Sequence, residues 1–184
     1  MKQTICRFIY QKVLGWKAEV NVPDFDKCII CAAPHTTNWD LFIGKLFISS
    51  IGRESGFMMK KEWFFFPLGI LFRWMGGIPV HRSKRTSMVD QIIQQIKKSE
   101  KFHLAITPEG TRSANPEWKK GFYYIALGAQ IPIVLIGIDY EKKCISANKY
   151  LIPSGDIEKD IREIKLYFKH FKGKHPEKFA LGEI

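Results

Sequence analysis

The sequence predicts an α/β domain with a largely parallel or mixed sheet flanked by helices, and three observations carry that expectation. Short, continuously apolar runs alternate with amphipathic runs of helical period. Each apolar run is bounded by Pro, Gly or polar turn residues. The 184 residues suffice for one core, and no repeat, low-complexity tract or composition break divides them. One domain is therefore expected over residues 1–184, with an N-terminal amphipathic helix (1–20), a central core (28–138) and a C-terminal helix (156–172).

The elements follow in order. In residues 1–16, Ile5, Phe8, Ile9 and Val13 recur at helical spacing among Lys2, Arg7 and Lys12. Such a helix either docks on the core or lies on a membrane surface. Val22-Pro23-Asp24 marks a turn. Residues 28–33 are continuously apolar and read as a buried strand that Pro34 ends. Thr37 or Asn38 can cap a helix from about Trp39 to Ile51. Phe57-Met58-Met59 suits a strand. Trp63–Met75 is apolar and aromatic, yet Pro67 and Arg73 interrupt it and it is too short to span a bilayer. It is either core or a segment that dips into a membrane or lines an acyl chain, with Lys60 and Lys61 at its flank.

Gly76-Gly77 forms a turn and Ile78–Val80 a third strand. Ser83–Lys98 carries Met88, Ile92 and Ile96 on one helical row, with Val89 and Ile93 beside it. Phe102–Ile106 is a strand, Thr107–Pro116 a polar loop, Gly121–Ala129 a helix and Ile131–Ile138 a buried strand. Residues 156–171 complete the pattern as a charged helix with Ile157, Ile161, Ile164 and Phe168 on one side.

Composition narrows the partners. Lys and Arg total 29 against 18 acids, a net charge of +11 that favours an anionic partner: nucleic acid, an acidic membrane or a phosphorylated substrate. The aromatics cluster with aliphatics rather than with basic residues, and no nucleic-acid-reading motif is present, so nucleic acid is not expected. Cys28 and Cys31 sit in an apolar run with no second Cys/His pair at zinc spacing, so buried, reduced thiols are expected and no metal site. Nothing calls for an oxidising compartment, no signal-peptide pattern opens the chain and no run of about 18 apolar residues exists, so a cytoplasmic protein is expected.

Three constellations could do chemistry. His35-Thr36-Thr37-Asn38-Trp39-Asp40 lies where a strand yields to a helix, the place α/β sheets put their sites. With His35 in the loop and Asp40 in the first helical turn, the carboxylate can reach back to the imidazole. It then fixes the tautomer and frees the other nitrogen to take a proton. A capping Asp beside an ordinary loop histidine is the plainer reading of the spacing alone.

Thr107-Pro108-Glu109-Gly110-Thr111-Arg112-Ser113 also follows a strand. Gly110 permits close backbone approach, Arg112 offers a fork for phosphate, and Thr111 and Ser113 add hydroxyls. Glu109 can orient the arginine or accept a substrate hydroxyl; a tight turn with a local Glu-Arg pair is the simpler alternative. Gly76-Gly77-Ile78-Pro79-Val80-His81-Arg82 places glycines and an arginine beside a third strand, with Lys84 and Arg85 extending the positive field. No G-x-S-x-G, Walker loop, G-x-G-x-x-G or H-E-x-x-H occurs. A His-Asp pair without an attached nucleophile suggests that the substrate supplies the attacking oxygen.

Together these pieces resemble the glycerolipid acyltransferases of the 1-acylglycerol-3-phosphate acyltransferase type. The family's H-x4-D motif matches His35 and Asp40, and its E-G-T-R-S motif matches Glu109–Ser113 without a change. Its arginine-bearing motif resembles Gly77–Arg82, with Pro79 and His81 as departures, and its proline-containing apolar motif is similar to Ile131–Val134. The resemblance spans about residues 28–138 and implies that family's fold. It implies that His35, held by Asp40, deprotonates a lipid hydroxyl that attacks the thioester of acyl-coenzyme A or acyl carrier protein. It implies that Arg82, Glu109, Gly110, Thr111 and Arg112 bind the acceptor's polar head, with no bound cofactor. The implied acceptor is a lysophospholipid, foremost 1-acylglycerol-3-phosphate, at the cytoplasmic face of an anionic membrane. The alternatives are another lipid hydroxyl, such as that of an amino-acid lipid, or a silent basic protein that binds lipid or nucleic acid.

Overall fold

The computed structural model describes residues 2–80 and 88–184. These build seven strands: β1 (Lys17–Val20), β2 (Lys27–Ala33), β3 (Gly56–Lys60), β4 (Gly77–Val80), β5 (Phe102–Ile106), β6 (Ile133–Asp139) and β7 (Cys144–Leu151). They form one sheet in the order β1-β7-β6-β2-β5-β3-β4. Strands β6, β2, β5, β3 and β4 run parallel to one another. β7 is antiparallel to β6, and β1 pairs with β7 in parallel. The sheet is thus mixed and mostly parallel, as the sequence predicts.

Helices cover both faces, which explains the unbroken apolar runs of the central strands. β2 shows how. Its Ile29, Cys31 and Ala33 pack with Ile92 and Ile96 of α4 (Met88–Lys98), Phe122 and Ile125 of α5 (Gly121–Ala129), and Ile164 and Phe168 of α6 (Ile157–Phe168). Its Cys28 and Ile30 face the other side, against Ile43, Phe47 and Ile48 of α2 (Trp39–Ser50) and against Tyr10 and Trp16. Cys28 and Cys31 are buried and unbridged. Burial pushes the Cys28 thiol up to about 12 and Cys31 well above its ordinary range, so both behave as small core hydrophobes.

Three segments differ from expectation. The N-terminal helix does not run to residue 20: α1 (Lys2–Phe8) continues as a π-helical turn over Ile9–Val13, and Gly15 at φ 70° breaks it. Residues 17–20 then pair as a strand with Cys144–Ala147. The C-terminal helix is shorter than 156–172, starting where the Asp156 side chain accepts the Lys159 N–H and ending at Phe168. Trp63–Met75 is not core: it holds α3 (Leu68–Trp74), and Phe66, Ile70 and Trp74 are 82%, 64% and 75% exposed. The stretch from His81 through Ser87, with Arg82 and the expected helix start at Ser83, lies outside the described residues.

Candidate active site

Adjacent parallel strands deliver the site residues side by side. Cys31 of β2 is in register with Ile106 of β5, and Ala33 with Gly137 of β6. The loops that leave these three strands therefore emerge together at the carboxyl edge of the sheet. His35 follows β2 and Glu109 follows β5. Asp40 stands in the first turn of α2, where Asp is favoured.

His35 Nδ1 lies 3.0 Å from Asp40 Oδ2. An ionised carboxylate only accepts, so Nδ1 carries the proton and Nε2 is left with its lone pair. The same Oδ2 accepts the backbone N–H groups of Thr36 at 2.8 Å and Thr37 at 3.0 Å. Asp40 is 5% exposed and Thr36 is buried, while the His35 side chain retains 21% exposure. Thr37 Oγ1 takes the Trp39 N–H at 3.4 Å. Asn38, at the N-cap position, makes no capping bond; its Oδ1 accepts from Arg112 Nη1 instead.

Glu109 differs from both sequence readings of it. It neither pairs with Arg112 nor opens to a head group: it is 2% exposed, and its Oε1 accepts the backbone N–H of His35 at 2.7 Å. Its Oε2 is buried with no hydrogen-bond partner among the described residues. Burial pushes the carboxyl up to about 7, with the His35 N–H pulling the other way. Gly110 turns at φ 66°, and a Cβ there would meet Lys119 Cγ at 3.1 Å. Thr111 and Arg112 are exposed, with Thr111 Oγ1 accepting the Ser113 N–H. Arg112 thus joins the His35 loop through Asn38, 74 positions away.

Two features were not foreseen. Tyr140 donates its hydroxyl to Asp40 Oδ1 at 2.7 Å. Gly173 lies against Thr36 and Pro34, and the His175 N–H donates to Thr36 Oγ1 at 3.2 Å, so the chain after α6 straps the His35 loop. A groove of about 1050 Å³ runs along α2 toward the amino ends of β3 and β5, lined by Phe42, Leu46, Ser49, Gly56, Phe102 and His103 among others, away from the His35 loop. Among the described residues no three His, Cys, Asp or Glu side chains gather as a metal site.

Comparison with known proteins bears on this geometry. The family model described as Acyltransferase matches residues 17–139. The 1-acyl-sn-glycerol-3-phosphate acyltransferase beta of Homo sapiens is 28% identical over 111 residues, which cover 56% of this chain and 40% of that protein. The chain thus spans less than half the length of that curated relative. The crystal structure of the 1-acyl-sn-glycerophosphate (LPA) acyltransferase PlsC from Thermotoga maritima is similar at a TM-score of 0.59 and 17% identity. That match covers 93% of this chain and 81% of the other, and at such identity it speaks for the fold alone.

Proposed function

The chain belongs to the Acyltransferase family, and from that premise we propose that it transfers a fatty acyl group from a thioester carrier to the hydroxyl of a lysophospholipid, foremost 1-acylglycerol-3-phosphate. The observation that carries the reading is the His35 Nδ1–Asp40 Oδ2 contact of 3.0 Å at the carboxyl edge of the sheet. Asp40 holds the ring so that Nε2 accepts the acceptor's hydroxyl proton. The oxygen attacks the thioester carbonyl of acyl-coenzyme A or acyl carrier protein. The C–S bond breaks, and the departing thiolate takes the proton back from the imidazolium. No acyl-enzyme is needed, because the substrate brings the nucleophile.

Arg112 and the Gly110-Thr111 turn would receive the acceptor's phosphate, with Arg82 as a further candidate from sequence. Glu109 then serves differently from a head-group ligand, holding the His35 backbone.

No helix among the described residues is long and apolar enough to cross a membrane. Lipid access would come from surface docking on an anionic leaflet, at the cytoplasmic face, through the exposed apolar residues of 63–74. Ile5, Phe8 and Val13 of the N-terminal helix are a second exposed set.

A thiol-release assay with acyl-coenzyme A and lysophosphatidic acid tests the reading. His35→Ala should abolish transfer with an unchanged circular-dichroism spectrum. Transfer retained by that variant would remove His35 from the mechanism, and no thiol release by the wild-type chain with either carrier would remove the activity.

A further inference from the structure

Resting on the reading of His35 as general base, we propose that Tyr140 is a positioning residue for the His35–Asp40 pair, holding the second carboxylate oxygen and thereby setting both the orientation and the basicity of the imidazole. Three neighbouring strands make the arrangement. β6, β2 and β5 end side by side, and Tyr140, His35 and Glu109 follow them in turn. Asp40 therefore sits between two strand ends rather than against one.

Its hydrogen bonds are divided accordingly. Oδ2 accepts from His35 Nδ1, Thr36 N and Thr37 N, and Oδ1 accepts, among the described residues, from Tyr140 alone, at 2.7 Å. A carboxylate tied at one oxygen can still rotate about its Cβ–Cγ bond; the phenol removes that freedom. Tyr140 can act only as donor here, since the carboxylate only accepts. Burial, and then the bond to Asp40, push its ionisation above the ordinary phenol range, so the hydroxyl keeps its proton wherever an imidazole base works.

The phenol is itself held. Trp16 packs edge-on against its ring, centroids 5.0 Å apart at 89°. Its backbone N–H donates to Lys172 O at 2.8 Å, in the strap that continues to Gly173 and Thr36. Tyr140 and the strap lie just past residues 17–139 that match the family, in the C-terminal part of the chain.

Among the described residues, Asp40 and Glu109 face His35, Arg112 reaches the same loop at Asn38, and the strap's ions are paired as Lys172–Glu141 and His175–Glu177. A donor on Oδ1 draws charge from the carboxylate. Without it, Asp40 is a stronger partner for the imidazolium, and the ring protonates at higher pH.

The test compares wild type with Tyr140→Phe, which keeps the ring against Trp16. The histidine C2–H resonance of His35 is titrated by NMR, and kcat and KM are measured across pH. The midpoint of the His35 titration and the acid limb of kcat/KM should both move up by about half a pH unit or more, with kcat lowered and the acceptor's KM unchanged. Superimposable titrations in a folded variant overturn the proposal. If Tyr140→Phe does not fold, wild-type protein carrying 13Cζ-tyrosine decides it: the Tyr140 signal should follow the His35 titration, and a silent signal overturns the proposal. Transfer by His35→Ala would instead defeat the general-base reading and leave the NMR result standing.

Discussion

Glu109 Oε1 receives the backbone N–H of His35 at 2.7 Å, tying the loop after β5 to the loop after β2. The bond satisfies a donor that the strand-to-helix loop would otherwise leave unpaired, and it does so with a carboxyl group that is almost wholly buried. An acidic residue in a turn that sequence marks as a ligand-binding loop is here part of the framework that holds the His35 loop.

The first prediction concerns stability against pH. Glu109 titrates near 7 in the folded chain and near 4.5 when unfolded. The folded value is raised, so the stabilisation is complete below about pH 4.5 and is lost as pH rises through about 7. The unfolded state then releases its proton more readily than the folded one, and ionisation costs the fold up to about 3 kcal/mol at alkaline pH. Glu109→Gln keeps an oxygen for the His35 N–H and removes the titration. Urea unfolding at about pH 4.5 and 8.5 should show the wild type losing more stability across this window than the variant. Equal losses would place the carboxyl's ionisation outside the range.

Much of this site was legible because its parts are local. His35-x4-Asp40 and Glu109–Ser113 each fall within one strand-to-loop junction, and continuous apolar runs at 28–33 and 133–138 mark the strands that aim them. The parts that were not legible are distant pairings. Tyr140 meets Asp40 across 100 positions, and β1 finds its partner 127 positions on at β7. Neither short Lys17-Ala18-Glu19-Val20 nor β7, with Ser146, Asn148 and Lys149 inside it, has the apolar run that announces a central strand. Glu109 misled because a Glu three residues before an Arg suggests an ion pair. The Arg instead turns outward to Asn38, and the strand carries the Glu inward.

The second prediction separates binding from chemistry at Arg112. Its guanidinium is exposed and close enough to the His35 loop to bond Asn38, a place from which a fork of donors can take a phosphate. Arg112→Ala should raise KM for a phosphorylated acceptor about ten- to a hundredfold, the worth of one or two bonds to a charged group. kcat should fall far less. Arg112→Lys, a point charge without the planar fork, should recover only part of the loss. An unchanged KM in steady-state kinetics with lysophosphatidic acid would take Arg112 out of the phosphate site.

The third prediction tests the surface over 63–74. A chain that folds in water seldom leaves Trp63, Phe65, Phe66, Ile70 and Trp74 together at more than half exposure without using them. Lys61 flanks the stretch and Arg73 lies within it, and the whole chain carries +11. Such a surface suits an anionic leaflet, where aromatics enter the interface and cations stay at the phosphates. Each large side chain that fully enters contributes about 1.5–3 kcal/mol. Partial entry by two of them still implies roughly a tenfold or greater change in partition. Phe66→Ser with Ile70→Ser should therefore weaken sedimentation with phosphatidylglycerol vesicles by that factor. The melting temperature should hold, because neither side chain is in the core. Binding of wild type should also fall as salt is raised, and be weaker on phosphatidylcholine alone. A double variant that sediments as the wild type does would show that these residues are not what meets the lipid.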